Sequence, residues 1–300
     1  MLIDLSVLSV PQKQQWLQHA IAPRPICFAS TIDAKGNVNL SPFSFFNLFS
    51  ANPPIVIFSP SRKGRDNTLK HTLLNVQEHA EVVINMCDEA MVQQMSLSSC
   101  EFERGVDEFI KAGFTKEAAT KVKPPMVKEA KIKLECVVKE IKSLGENGGA
   151  GQLVIAEVLY MHVDDSLLNS DGTMIDQKKT EFIARLGGDW YCRVNSSNMF
   201  TVAKPNTNIA IGIDALPTSI KYSKVLTGNH LGQLANVHEM PLIEASFTDD
   251  TLKNIIQYYS INPEEMEIEL HRYAATLLNN NQVHAAWQVL LSSENLFPNV

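Results

Sequence analysis

Two stretches, residues 131–142 and 152–163, constrain the fold more than any other part of the chain. In an extended backbone Ile132, Leu134, Cys136 and Val138 point one way, while Lys133, Glu135 and Lys139 point mostly the other. A period of two is the mark of a strand with one buried face. The glycine-rich residues 145–151 lie between the two stretches. They follow a strand, open no helix and lack GxGxxG spacing, so they read as a hairpin loop and not as a dinucleotide fingerprint. The second stretch is then the antiparallel partner of the first.

Other short strands are predicted at 26–32, 38–41, 55–59 and 81–86, with a hairpin turn at Asp33-Ala34-Lys35-Gly36-Asn37. Helices are predicted at 11–20, at 68–76 with Asp66 or Asn67 as cap, at 90–99, and at 107–112 before Gly113. No βαβ rhythm appears. The expected fold is therefore mainly β with surface helices, an antiparallel barrel closed on itself. Composition changes near Lys204-Pro205. Residues 1–204 are expected to form the barrel domain. Residues 205–240, with anchors such as Ile211, Leu226 and Leu234, are expected to form an extended arm packed on it. Residues 241–300 form a C-terminal helical extension with helices at 252–259, 263–279 and 282–291. Ala274, Ala275, Leu277 and Leu278 are placed to face Ala285, Ala286, Val289 and Leu290 across a helical hairpin.

At 300 residues the chain can bury a substantial core, as one large domain or two ordinary ones. Its net charge of -7 argues against a nucleic-acid partner, whose phosphates need a basic field. No apolar run approaches the length of a membrane span, and the start, MLIDLSVLSVPQ, lacks a basic signal-peptide region. The five cysteines make no CxxC pair, and the histidines show no HxH or HExxH spacing, so no metal site is expected. Scattered, unpaired thiols fit a reducing cytoplasm.

Residues 39–59 read NLSPFSFFNLFSANPPIVIFS. Short polar side chains (Asn39, Ser41, Ser44, Asn47) alternate with Pro42, Phe43, Phe45 and Phe46. Two readings stand. The stretch is a barrel edge with its serines facing water, or it walls a planar, partly polar ring with apolar faces and short donors at the heteroatom edge. Ser59 and the loop Arg62-Lys63-Gly64-Arg65-Asp66-Asn67-Thr68 follow. The loop is either a solvated basic surface or a phosphate site served by cations, hydroxyls and the amides of the next helix.

PRPICFAST, NLSPFSFFNLFSANPPIVIFSP, RDNTLKHTLLNV, VVIN, GVDEF, VKPP, LVIAEV and RLGGDWY occur in that order. As a set over roughly residues 20–195 they resemble the flavin reductase-like, FMN-binding split-barrel family, which includes flavoredoxin-like flavoproteins. The resemblance implies a split barrel that holds FMN, with NADH or NADPH as hydride donor and an oxygenase or other electron acceptor downstream. It implies a homodimer with the flavin at the two-fold interface. Residues 39–47 would bind the flavin's pyrimidine edge, and Arg65, Asp66 and Thr68 match a family phosphate pattern. Asn67 interrupts that pattern, leaving Arg65 and Lys63 as rival main contacts. Arg185, Gly187 and Tyr191 form a third block, read either as a cover for a ring or for the partner's pocket, or as a loop with aromatic anchors. A flavin carrier without turnover is the alternative function.

Overall fold

A computed structural model describes residues 1–204 and 209–296, the side chains of 294–296 excepted. Contacts divide the chain into two units, Met1–Phe200 and Thr201–Val300.

The first unit begins with helix α1 (Val10–Ala20) and strands β1 (Cys27–Ile32), β2 (Val38–Phe43), β3 (Phe46–Ala51) and β4 (Pro54–Phe58). Helix α2 (His71–Glu78), β5 (Glu81–Met86), α3 (Val92–Leu97) and α4 (Glu108–Ala112) come next. The short strands β6 (Lys116–Glu117) and β7 (Met126–Val127) precede the long hairpin β8 (Ile132–Ser143) and β9 (Gln152–Val163). β10 (Phe182–Arg185) and β11 (Tyr191–Val194) close the unit as a second hairpin.

Seven strands form one antiparallel sheet in the order β2-β1-β5-β8-β9-β4-β3. The β8–β9 ladder runs from Ile132↔Val163 to Ser143↔Gln152 with two register shifts, so the predicted hairpin is its longest pairing. In β8 the expected single buried face is not kept: Ile132 and Cys136 are buried, but so is Glu135 on the other face, where its carboxylate accepts the amides of Thr120 and Val122. β1 is buried on both faces: Cys27 and Ala29 pack with Phe58, Leu73 and Cys136, while Phe28 packs with Leu40, Met95 and Phe109 on the opposite side.

The expected closure is not met. Among the described residues no ladder joins β2 to β3, so both remain free edges of an open sheet. The two-residue link Ser44-Phe45 turns the chain outward, and β3 leaves Leu48 and Phe49 each 63% exposed instead of completing a wall. The helix expected from residue 68 also starts later, at His71 with Lys70 as N-cap. Asp66 is not a helix cap: its carboxylate accepts the amide and hydroxyl of Thr68, and this closes a separate turn.

The second unit contains α5 (Thr218–Lys221), α6 (Gly228–Ala235), α7 (Asp250–Tyr258), α8 (Pro263–Asn279) and α9 (Val283–Leu296). Asn262 caps α8, with Pro263 in its first turn. The predicted α8–α9 hairpin forms: Ala274, Leu277 and Leu278 share a core with Ala286, Val289 and Leu290. Trp287 is buried there and donates its indole N–H to the Leu234 carbonyl at 3.2 Å. The segment read as an extended arm differs from expectation. It contains α5 and α6, and its anchors Leu226 and Leu234 pack into this helical core. Positions 205–208 of that arm lie outside the described residues.

Candidate functional site

Four parts of the first unit line a cleft of about 890 Å³. This lies within the roughly 300–1,000 Å³ usual for small-molecule sites. One wall is the end of β2 and its link to β3: Ser41, Pro42, Phe43, Ser44 and Phe45. Ser59 and the basic loop through Ser61, Arg62, Lys63, Gly64 and Arg65 form the second. The third is α1 and the residue that follows it, which lay Val10, Leu17 and Ile21 along the opening, and the fourth is the loop 145–150. Nine of the predicted binding residues thus converge: Ser41, Pro42, Phe43, Ser44, Phe45, Ser59, Arg62, Lys63 and Arg65.

The basic loop is shaped by its own backbone. Lys63 N–H donates to the Thr68 carbonyl and Asn67 N–H to the Lys63 carbonyl, both at 2.9 Å. Asn67 sits at φ 58°, a left-handed conformation that asparagine tolerates. Its side-chain amide donates to the Glu146 carbonyl at 2.9 Å. The residue that interrupts the phosphate pattern is therefore the pivot of the turn. Asp66 and Thr68 bond each other and do not line the cleft. The 145–150 loop closes over this turn. A Cβ on Gly148 would meet the Lys63 carbonyl oxygen at 3.0 Å, so a larger residue would push the two backbones a few tenths of an ångström apart.

At the basic end the cleft adjoins a small polar niche at the start of α2. Ser41, Lys63, Lys70, Ser99 and Glu101 line both spaces. Burial lowers the pKa of Lys70, which means its charged form lacks full solvation and favours an anion. The Nε of Arg62 is buried without a hydrogen-bond partner among the described residues. Cations, hydroxyls and an orphaned donor at one end, with aromatic and aliphatic surfaces at the other, fit a phosphorylated flavin. Ser41, Lys63, Lys70 and Ser99 gather at the polar end, and Phe43, Phe45, Leu17 and Ile21 line the rest of the cleft.

The remaining predicted residues lie elsewhere. Asn39 is buried; it donates to Glu108 Oε1 at 2.7 Å and accepts from the Thr72 hydroxyl at 2.7 Å. It lines the niche and not the cleft. Asn47 is exposed and accepts the amide of Leu48. Arg185 and Tyr191 line a separate cleft of about 430 Å³, where the guanidinium lies 4.5 Å from the ring centre. Gly187 packs against the imidazole of His19, where a Cβ would fall within 2.5 Å of ring atoms.

Sequence reasoning missed Lys70, Ser99, Glu101 and Arg24. The buried Arg24 guanidinium donates to the carbonyls of Gln18, Ile21 and Leu186 at 2.5–2.9 Å, and its Nε lies 3.5 Å from the Ser44 hydroxyl. It thereby ties α1 and the 185–191 block to the cleft wall. Glu108 is 3% exposed. It holds Asn39 and the Leu40 amide, and burial raises its pKa.

The family model described as "Flavin reductase like domain" matches residues 19–180, more than half of the chain. A protein of Aquifex aeolicus is 37% identical over 173 residues, covering 58% of this chain and 85% of its own length. Among solved structures, nitrilotriacetate monooxygenase component B from Bacillus cereus is 29% identical with a TM-score of 0.63. That likeness covers 67% of this chain and 98% of the other. 2-Nitrobenzoate 2-nitroreductase NbaA from Pseudomonas fluorescens is 25% identical with a TM-score of 0.62, covering 71% and 100%. The helical unit Thr201–Val300 lies beyond the family match. The chain belongs to the flavin reductase-like family.

Proposed function

We propose that the cleft binds FMN and that the chain is an NAD(P)H-dependent oxidoreductase of the flavin reductase type. The observation that carries this reading is the two-ended cleft, with Phe43, Phe45 and α1 at one end and the Lys63–Lys70 niche at the other. Bound FMN would supply the redox chemistry, accepting a hydride from NADH or NADPH and returning electrons to an acceptor. The protein's part is to bind and orient. Ser44 offers a hydroxyl beside the aromatic wall, and a donor at a flavin's pyrimidine edge favours its negatively charged reduced form. Lys63 and Lys70 neutralise the phosphate and fix which end enters first.

The acceptor is proposed to be a partner oxygenase or another electron-accepting protein, in keeping with the likeness to a monooxygenase component B. A homodimer is proposed on the exposed Leu48 and Phe49 of edge strand β3, since an apolar free edge is a surface that pairing covers. The Arg185–Tyr191 block would then serve the partner's site. A reducing cytoplasm suits Cys27, Cys87 and Cys136, which are buried thiols with raised pKa values, that of Cys136 at about 12. The test is spectroscopic. The purified chain should bind FMN, and NADH or NADPH added without oxygen should bleach the flavin band. A flavin-loaded chain that neither donor bleaches would be a carrier.

A further inference from the structure

The basic residues at the phosphate end of the cleft already have an anion. Glu101 Oε2 lies 2.5 Å from Arg65 Nη2, and Oε1 lies 3.7 Å from Lys63 Nζ. Of the five residues that line both cleft and niche, Glu101 is the only acid; the others are Ser41, Lys63, Lys70 and Ser99. Its hydrogen bond to Arg65 leads the causes that hold its carboxyl below the usual range, so it is ionised at neutral pH. Its side chain is 44% exposed, so rotation into water leaves no buried charge behind. The loop itself does not depend on it. Lys63, Asn67 and Thr68 are fixed by backbone bonds, and Asp66 bonds Thr68.

A carboxylate and a phosphate present the same kind of oxygen to the same cations. Both cannot hold Lys63 at once without two like charges meeting across a few ångströms. We propose that Glu101 is an internal competitor for the phosphate subsite. It neutralises the basic loop when no flavin is bound, swings outward when the phosphate arrives, and so keeps FMN exchangeable. This rests on the FMN reading of the cleft. It adds a residue that sets affinity and release and takes no part in hydride transfer. Bringing the Glu101 carboxylate back against the bound phosphate favours dissociation, which suits a chain that passes reduced flavin to a partner.

Glu101→Gln keeps the shape and removes the charge. In the full chain, FMN should bind about two- to fivefold more tightly, the upper range for one exposed ion pair. Most of the gain should appear as slower dissociation in stopped-flow flavin fluorescence. Riboflavin, which lacks the phosphate, should bind as before. Inorganic phosphate, which meets the same cations, should gain affinity for the variant by a similar factor, read as its inhibition constant against FMN. Glu101→Ala should reproduce the gain, because the effect comes from loss of charge. Unchanged or weaker FMN binding in both variants, with wild-type FMN preference over riboflavin intact, overturns the competitor role and leaves the FMN reading standing. A wild-type chain that binds FMN no better than riboflavin overturns the phosphate site itself, and the competitor with it.

Discussion

Lys63→Ala should separate the phosphate from the ring in the affinity of the cleft. Lys63 lines both cleft and niche, and its side chain is only 20% exposed. A partly buried ammonium on a phosphate makes a charge-assisted hydrogen bond, whose loss costs roughly 1.5–3 kcal/mol. At about 1.4 kcal/mol per decade, FMN should weaken about ten- to a hundredfold while riboflavin changes little. The fold should survive. The loop uses the Lys63 main chain, whose N–H and carbonyl bond Thr68 and Asn67, and the truncation leaves both in place. Arg65→Ala should cost less, under about fivefold, because its guanidinium is 71% exposed and already paired with Glu101. The assay is flavin fluorescence titration of both ligands into both variants, at low and at high salt. The FMN preference should shrink in Lys63→Ala and should fall with salt in the wild type. Equal losses of FMN and riboflavin in Lys63→Ala would show that the residue supports the fold. A larger FMN loss in Arg65→Ala than in Lys63→Ala would refute the ranking by burial.

A chain truncated after Phe200 should fold and keep FMN affinity, since every residue lining the cleft lies in the first unit; a folded fragment that loses flavin would refute this. The full chain should sediment as a dimer burying more than about 1,200 Å² in total, and Leu48→Lys with Phe49→Lys should shift it towards monomer. His271 is buried, accepts or donates at Ser223 Oγ at 2.7 Å, and has its pKa lowered by burial to about 4. A neutral buried imidazole contributes stability that is present above pH 6.5 and lost as pH falls towards 4, about 3 kcal/mol in all. Nitrogen NMR should find His271 neutral at pH 5.5; titration near pH 6.5 would remove the argument.

The elements with a strong internal period were legible. Strand β9 and helix α8 announce themselves because each buries one regular face against one core, and β5 because its short apolar run, Val82 to Ile84, is buried on both faces. The end of α4 was legible too: Gly113 stops it at φ 72°, while Asp107, read as its first residue, is its N-cap. The start of α2 was misjudged because Asp66 offers a cap signal that the chain spends on a local turn with Thr68. Asx turns and helix caps use the same side-chain oxygen to bond an amide two or three residues on, and only the backbone beyond decides between them. The open sheet has a similar cause. Strand periodicity says which face is buried, but edge closure depends on where β3 goes after Ser44-Phe45, and no local pattern encodes that.

The site divides along the same line. Ser41 to Phe45 and Ser59 to Arg65 are near neighbours in sequence, and the cleft brings them together as their chemistry suggests. Lys70, Ser99 and Glu101 reach the same place through the start of α2 and the turn after α3. Nothing in a lysine after a leucine, or a glutamate after a cysteine, marks a shared polar niche; the meaning arises when separate elements converge. Asn39 shows the reverse. Its position in the aromatic-polar stretch suggests a ligand contact, yet its amide joins Glu108 to Thr72 beneath the niche. With Glu108 3% exposed, Asn39→Ala would leave a buried carboxylate short of a donor, at a cost of about 1–3 kcal/mol or more. Its effect should therefore appear as lost thermal stability, with riboflavin and FMN weakened in equal proportion. A variant that stays stable and loses only FMN would instead put Asn39 in contact with the phosphate.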